Sequence, residues 1–411
     1  MNNYQLLAEL SEATIDEADE LPYIRQSVFV RLEPPKQNVI ILKGARGIGK
    51  STVIKQFLAA KRSQKSKVFY LSADSIFLDC SLAEFALEYN KHGGEYLAID
   101  EIHRYRQEWQ QELKTIIDSF SRLKIIVSGS SSLKLDYAIS DLSRRHVMVH
   151  SKGLSFREYL NKNYAFNFEA VSLQDLLVNA ADICRNITKQ ILIQNLDLLD
   201  IFRKYLQEGY FLSIENYASL TIYFESLINT MYSIIDSDLS YVHNDIDQIA
   251  REKIKAILRH ISAKSPFTPN IAELSRNISI VNDNVLKKYL FYLDEGEILI
   301  NLYPENSSYK DFQRPQKILL NNTNFSYAFS RNPDIGSLRE TFVANCLKGL
   351  GTLTAPDSGD FCLNGAITFE VGGKNKKHKQ IKAKTNAYVI ADNLMWVEDH
   401  KLPLWLLGFI W

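Results

Sequence analysis

The residues best suited to do chemistry are Gly44-Ala45-Arg46-Gly47-Ile48-Gly49-Lys50-Ser51-Thr52. Gly44, Gly49, Lys50 and Ser51 have the spacing of a P-loop, the turn that cradles phosphate groups between a strand and a helix. Glycines let the backbone curl so that successive N–H groups face phosphate oxygens. A helix starting near Lys50 adds the positive end of its dipole. Lys50 would neutralise β- and γ-phosphate charge, and the Ser51 hydroxyl would ligate Mg²⁺, an ion that keeps most of its own waters. The nine residues Gly44 to Thr52 are therefore the expected seat of ATP.

A second group follows at Asp100-Glu101, behind the apolar run Tyr96-Leu97-Ala98-Ile99. An acid at the carboxyl end of a buried parallel strand lies where such sheets bind ligands. Asp100 is expected to hold the Mg²⁺ hydration shell, and Glu101 to orient and deprotonate the attacking water. Ser128 ends the next apolar run. It should lie beside the two acids, where it either touches the γ-phosphate or merely starts a turn. Arg144 and Arg145 follow. One of them is expected to reach a γ-phosphate, because guanidinium charge is permanent and its donors are forked. The competing reading is a surface pair facing Asp136 or Asp141.

The elements that must position these residues are legible. Strands are expected at Val39–Leu42, Lys67–Ser72, Glu95–Asp100 and Lys124–Gly129, with helices near 50–61, 81–91 and 108–121. Short continuous apolar strands separated by helices predict an α/β fold with a parallel sheet covered on both faces. Residues 1–37 read as a helical lead-in up to Asp19, ended by Pro34-Pro35.

Composition bounds the function. The 411 residues carry 48 basic and 48 acidic side chains, a formal net charge of zero. That excludes a protein that coats nucleic acid by bulk charge, while leaving room for local patches. Cys80, Cys184, Cys346 and Cys362 are widely separated, with no C-x-x-C pair. They read as reduced core residues of a cytoplasmic protein, not as disulfides or a zinc site. The N-terminus has no signal-peptide pattern. No apolar run is long enough to span a membrane.

The combination of the P-loop with Ile99-Asp100-Glu101-Ile102-His103, Ser128-Gly129-Ser130-Ser131-Ser132-Leu133, Asp141-Leu142-Ser143-Arg144-Arg145 and Gly153-Leu154-Ser155-Phe156-Arg157-Glu158-Tyr159-Leu160 resembles a family of prokaryotic AAA-type P-loop ATPases. In that family the core is followed by a winged helix and a restriction-endonuclease-like domain. The resemblance implies a P-loop NTPase core in which Ser128 is a phosphate sensor and Arg144 or Arg145 an arginine finger, supplied within a homo-oligomer. It also implies a division into 1–160 (core), 161–248 (helical lid), 249–314 (winged helix) and 315–411 (nuclease-like). Residues 161–248 contain one glycine, Gly209, and no proline, as a helical region should. Ile254 to Tyr303 reads as helix, helix, helix, strand. The third helix opens with Asn282, Asp283 and Asn284, and Asp283 would repel phosphate, so a protein-contact module is favoured over DNA reading.

In the last segment the order of Glu340, Asp360 and Glu370, with a nearby lysine, resembles the nuclease fold, in which such acids hold Mg²⁺ and a lysine steadies water. Gly372 stands where that lysine is expected. Lys374, two residues later, keeps its face but moves by about 7 Å along the strand, so a degenerate scaffold is favoured unless Gly372-Gly373 forms a bulge. Residues 374–384 carry six lysines and no acid. They read either as a salt-sensitive nucleic-acid patch or as a solvated loop. The leading expectation is a Mg²⁺-dependent ATPase that moves its helical and winged-helix parts. The alternatives are an ATP-gated nuclease and a nucleotide switch acting on a partner protein.

Overall fold

The structure is a computed structural model. It describes the chain apart from residues 1–2, 35–38, 106–108, 130–144, 244, 265, 269–270, 279, 281, 306–313, 377–383, 385 and 399–400. Arg144, Asp136, Asp141 and most of the 374–384 lysine run lie outside the described residues. The chain forms two compact units, Met1–Gly153 and Leu154–Trp411.

The first unit is a parallel sheet built as its apolar runs require. Strands β1 (Val39–Lys43), β2 (Val68–Ser72), β3 (Tyr96–Asp100), β4 (Lys124–Gly129) and β5 (His146–His150) lie in the order β2-β3-β4-β1-β5, all parallel. Alternate residues feed two cores. Ile41, Leu71, Ile99 and Val127 pack on one face with Leu82, Phe85 and Trp109 from the helices at Leu82–Lys91 and Trp109–Ser119. Ile40, Leu42, Ala98 and Ile126 pack on the other with Val53, Ile54, Phe57 and Leu58 of helix Lys50–Ser63. Burial on both faces explains why these strands show no polar alternation. β5 was not expected from the sequence. His146-Val147-Met148-Val149-His150 is short and flanked by arginines and histidines, but its register with β1 closes the sheet edge.

Register fixes what meets at the carboxyl edge. Ser72 pairs with Asp100, Ile99 with Val127, and Leu42 with Ser128, so the ends of four strands share one level. Segment 151–153 closes over the start of the P-loop. Arg25, buried at 4% exposure, donates to the Ser151 hydroxyl (3.1 Å), to the Lys152 carbonyl and to the Gly153 carbonyl (2.6 Å). The Ser151 carbonyl then lies so close to Gly44 that a β-carbon there would come within 2.1 Å of it.

The second unit joins parts expected to be separate. Helices Phe156–Tyr164, Leu173–Ile193 and Leu198–Glu208 share one apolar core with helix Ile335–Leu347 and with the sheet formed by β8 (Leu353–Thr354), β9 (Phe361–Leu363), β10 (Ile367–Gly372), β11 (Ala387–Ala391) and β12 (Lys401–Pro403). The residues read as a lid thus bury their apolar stripes against the C-terminal sheet. Ser155 and Glu158 form a reciprocal capping box, Phe156 meets Phe202 and Phe409 edge-on, and Arg157 holds the carbonyls of Phe168 and Trp411. The Gly153–Leu160 motif packs in this way in the chain, and the two compact units divide after Gly153.

Helices Gln248–Ser262, Ile271–Asn277 and Asp283–Glu295 precede an antiparallel pair of strands, β6 (Leu299–Leu302) and β7 (Lys317–Leu320), in the order the sequence predicts. β9 and β10 turn at Asn364-Gly365, both with positive φ, as read from the sequence. Among the described residues no helix is long and apolar enough to cross a membrane. All four cysteines are free thiols.

Because Gly44 admits no β-carbon beside the Ser151 carbonyl, Gly44→Ala should lower the melting temperature by several degrees, in line with an overpacking cost of about 1–3 kcal/mol. Calorimetry checks this, and an unchanged melt would show that segment 151–153 yields without cost.

Candidate functional site

The P-loop backbone takes the shape its glycines permit. Gly47 and Gly49 both adopt the left-handed conformation, with Gly49 leading into the helix that begins at Lys50. Lys50 is 5% exposed. Its Nζ donates to the carbonyls of Gly44 (2.8 Å) and Ala45 (2.7 Å), folding the ammonium group back into the loop. Such hydrogen bonds can be exchanged for phosphate oxygens, which pair more strongly with an ammonium group.

Asp100, Glu101 and Ser128 come together as expected. Asp100 is 2% exposed and both carboxylate oxygens are satisfied. Ser128, fully buried, donates to Oδ1. Tyr70, on the neighbouring strand, donates to Oδ2 at 2.5 Å, with the Ser51 hydroxyl beside it. Burial and the Asp100 charge push the Tyr70 phenol well above its ordinary pKa, so it stays a donor. Ser128 Oγ also accepts from the Glu101 amide (3.3 Å), so it braces the two acids against each other.

Glu101 sits in the left-handed region at φ 53°, unusual for a side chain of this kind and typical of functional positions. Its carboxylate lies 3.3 Å from Arg104 Nε and 3.5 Å from His103 Nε2. Arg104 also reaches Asp74 at 3.3 Å. The Ser72 hydroxyl, ahead of Arg104, holds the Asp74 carboxyl below its usual range against the opposing effect of burial. Glu101 is thus held at the rim, while Asp100 is held inside. Sequence reasoning missed Tyr70, because only the parallel register brings β2 beside β3, and it missed His103 and Arg104, which the short helical turn Ile102–Arg104 folds back onto the Glu101 carboxylate.

Arg145 does not join this site. It precedes His146, which pairs with Val39 at the amino end of β1, so it stands at the sheet edge opposite the P-loop. There it forms an ion pair with Asp118. Its guanidinium is out of reach of a nucleotide bound by its own chain.

In the second unit Glu340, Asp360 and Glu370 also converge, but lysines occupy the space between them. Lys317 Nζ lies 2.7 Å from Glu340 and 3.4 Å from Asp360. Lys376 Nζ lies 2.5 Å from Glu370, which is fully buried. Asp360 Oδ2 accepts from the Val371 amide at 2.7 Å. Burial raises the Glu340 pKa, opposed by Lys317. Burial depresses Lys376, but Glu370 outweighs it and the ammonium pKa ends raised. Among the described residues no group of three or more His, Cys, Asp or Glu is arranged to hold a metal ion. The expectation of Mg²⁺ at Glu340, Asp360 and Glu370 therefore meets a cluster of three acids already paired with two ammonium groups.

Lys374 is not the lysine that reaches this cluster. It points toward Glu398 at 3.8 Å. The chain turns at Gly373, where the Lys376 amide bonds the Gly373 carbonyl. The Lys376 stem then crosses Gly372 so closely that a β-carbon there would lie 2.7 Å from it. Lys376 thus lies over the position where the nuclease pattern has its lysine, without the bulge considered for Lys374.

Residues 36–160 match a family model described as AAA domain. An uncharacterised protein of Methanocaldococcus jannaschii is 27% identical over 94% of this chain and 87% of its own length. Looser structural overlaps are found with the replication initiator DnaA. DnaA from Aquifex aeolicus bound to AMPPCP has a TM-score of 0.28 at 15% identity, covering 62% of this chain and 84% of that one. DnaA bound to AMPPCP and single-stranded DNA has a TM-score of 0.27 at 14% identity, covering 69% and 92%. The P-loop, Asp100, Glu101 and Ser128 all fall inside the AAA-domain match.

Lys376→Ala should destabilise the second unit by roughly 2 kcal/mol, below the ~3–5 kcal/mol of a fully buried pair because Lys376 is partly exposed. Lys374→Ala should be neutral. Chemical denaturation separates the two, and equal effects would refute the assignment of Lys376 as the partner of Glu370.

Proposed function

We propose that Met1–Gly153 binds ATP with Mg²⁺ and hydrolyses it as an AAA-type ATPase, and that turnover drives rearrangement of the helical and winged-helix parts of the chain. The observation that carries this reading is the meeting of Lys50, Ser51, Asp100, Glu101 and Ser128 at one sheet edge, inside the segment that matches an AAA domain. The backbone of Gly44–Thr52 would surround the phosphates, and Lys50 would exchange its loop carbonyls for phosphate oxygens. Ser51 and Asp100 suit Mg²⁺ chemically: both offer oxygen ligands, and both lie beside the Tyr70 hydroxyl. The ion, when bound, would neutralise charge on the transferring phosphoryl group. Glu101 at the rim would accept a proton from water, and Ser128 would keep its amide and the Asp100 carboxylate in fixed relation. Arg144 or Arg145 would be a finger offered to a neighbouring copy, and a homo-oligomer belongs to the same reading.

A second reading, an ATP-gated metal-dependent nuclease in Leu154–Trp411, is favoured by one observation, the passage of Lys376 over Gly372 to Glu370. Against it stand the two lysines already paired with the three acids. The favoured reading is a lysine-paired scaffold that cuts nucleic acid poorly.

For the ATPase, Lys50→Ala should weaken ATP binding greatly, while Glu101→Gln should bind ATP and turn it over on the order of a hundredfold more slowly. Calorimetry and phosphate release check the pair. Unchanged affinity in the first variant, or wild-type turnover in the second, would sink the corresponding role.

For the second unit, the purified protein is incubated with plasmid and with single-stranded DNA or RNA, in Mg²⁺ or Mn²⁺, beside an Asp360→Ala control. Little or no cutting is expected. Metal-dependent cutting that vanishes in the control would instead establish the nuclease, and salt-sensitive binding alone would point to the lysines of 374–384.

A further inference from the structure

Tyr70 lies where the ATPase chemistry leaves no role for a tyrosine. Its hydroxyl donates to Asp100 Oδ2 at 2.5 Å, with the Ser51 hydroxyl beside it, so one oxygen stands at the two side chains suited to a divalent cation. The Tyr70 ring packs with Val68 on the core formed with helix Lys50–Ser63, Phe69 and Leu71 pack on the other face, and the phenol oxygen is the part that reaches Asp100.

The ring is held on several sides. The Tyr70 amide donates to Ser11 Oγ at 2.8 Å, anchoring the strand to helix Tyr4–Asp19. Lys55 Nζ lies 4.6 Å from the ring centroid, one turn beyond Ser51 on the same helix. Ser128 takes the other oxygen of Asp100, leaving Oδ2 as the face of the carboxylate turned to Tyr70. A buried carboxylate needs donors on both oxygens. Tyr70 meets that need with a neutral hydroxyl, which, unlike a lysine, leaves the charge of Asp100 in place.

We infer that Tyr70 is a positioning residue that seals the cation seat of the P-loop site, its hydroxyl standing in for a water of the Mg²⁺ shell until metal and nucleotide arrive. This inference rests on the ATPase reading. When the ion enters with nucleotide, the hydrogen bond from Tyr70 to Asp100 is surrendered, so the hydroxyl opposes metal binding while keeping Asp100 satisfied in its absence. The hydroxyl thus sets a cost on seating the divalent ion and lowers the gain in nucleotide affinity that the ion brings.

The test measures affinity for a non-hydrolysable ATP analogue by calorimetry, in EDTA and across a Mg²⁺ series, for wild type and Tyr70→Phe. The quantity read is the factor by which Mg²⁺ tightens the analogue. Tyr70→Phe should increase that factor about tenfold, the worth of one hydrogen bond to a charged group, while the affinity in EDTA stays within about twofold. Tyr70→Leu, which also lacks the hydroxyl, serves if the phenylalanine variant melts early, and should move the factor the same way. An unchanged or reduced factor, with wild-type binding intact, overturns the role of Tyr70 alone. Absence of analogue binding to the wild-type protein overturns the ATPase reading and this inference with it.

Discussion

The structure depends on how it keeps carboxylates charged inside protein. A carboxylate out of water must be given donors or it takes up a proton. Asp100 is solved with hydroxyls. Ser128 and Tyr70 approach from the strands on either side, because the parallel register sets the ends of β2, β3 and β4 level. Hydroxyl donors satisfy the oxygens and leave the negative charge available to a cation. The P-loop beside it carries the complementary group: Lys50, itself buried, is satisfied by the carbonyls of its own loop.

The second unit meets the same constraint with the opposite means. Glu370 is fully buried and paired with Lys376, and Lys317 bridges Glu340 and Asp360. Ammonium groups satisfy the oxygens and also offset two of the three charges. A metal ion would have to displace them and repay their desolvation. Two clusters of acids of similar composition therefore differ in what they leave for a ligand, and the difference lies in the partner: a phenol and a serine in one, two lysines in the other.

Packing places each cluster. In the first unit the two cores on either face of the sheet hold the strands in register, and Arg25 pins segment 151–153 over Gly44. In the second, the helices after Gly153 share one core with the C-terminal sheet, so the region that looked like a separate lid is part of the body that carries Glu340, Asp360 and Glu370. The absence of glycine and proline from 161–248, apart from Gly209, marks those residues as helical but does not say which surface their apolar stripes cover.

The sequence by itself determined the P-loop, four of the five strands of its sheet, the helices between them and the meeting of Asp100, Glu101 and Ser128. All of these follow from local signals: apolar runs, glycine spacing, and the rule that acids after buried strands gather at one edge. Likewise Asn364-Gly365 announced its hairpin. Tertiary structure alone decided the rest. Tyr70 sits two residues before the end of β2 with nothing local to mark it, and only the pairing of β2 with β3 carries its hydroxyl to Asp100. Arg145 looked like a neighbour of the nucleotide because it follows the sheet in the chain, whereas β5 enters at the opposite edge. Lys376 was hidden because strand periodicity counts along the backbone, while a turn at Gly373 folds the lysine back over Gly372. Periodicity reports which face a residue takes, but which charges meet depends on register and on turns, and those are set by packing between segments far apart in the chain.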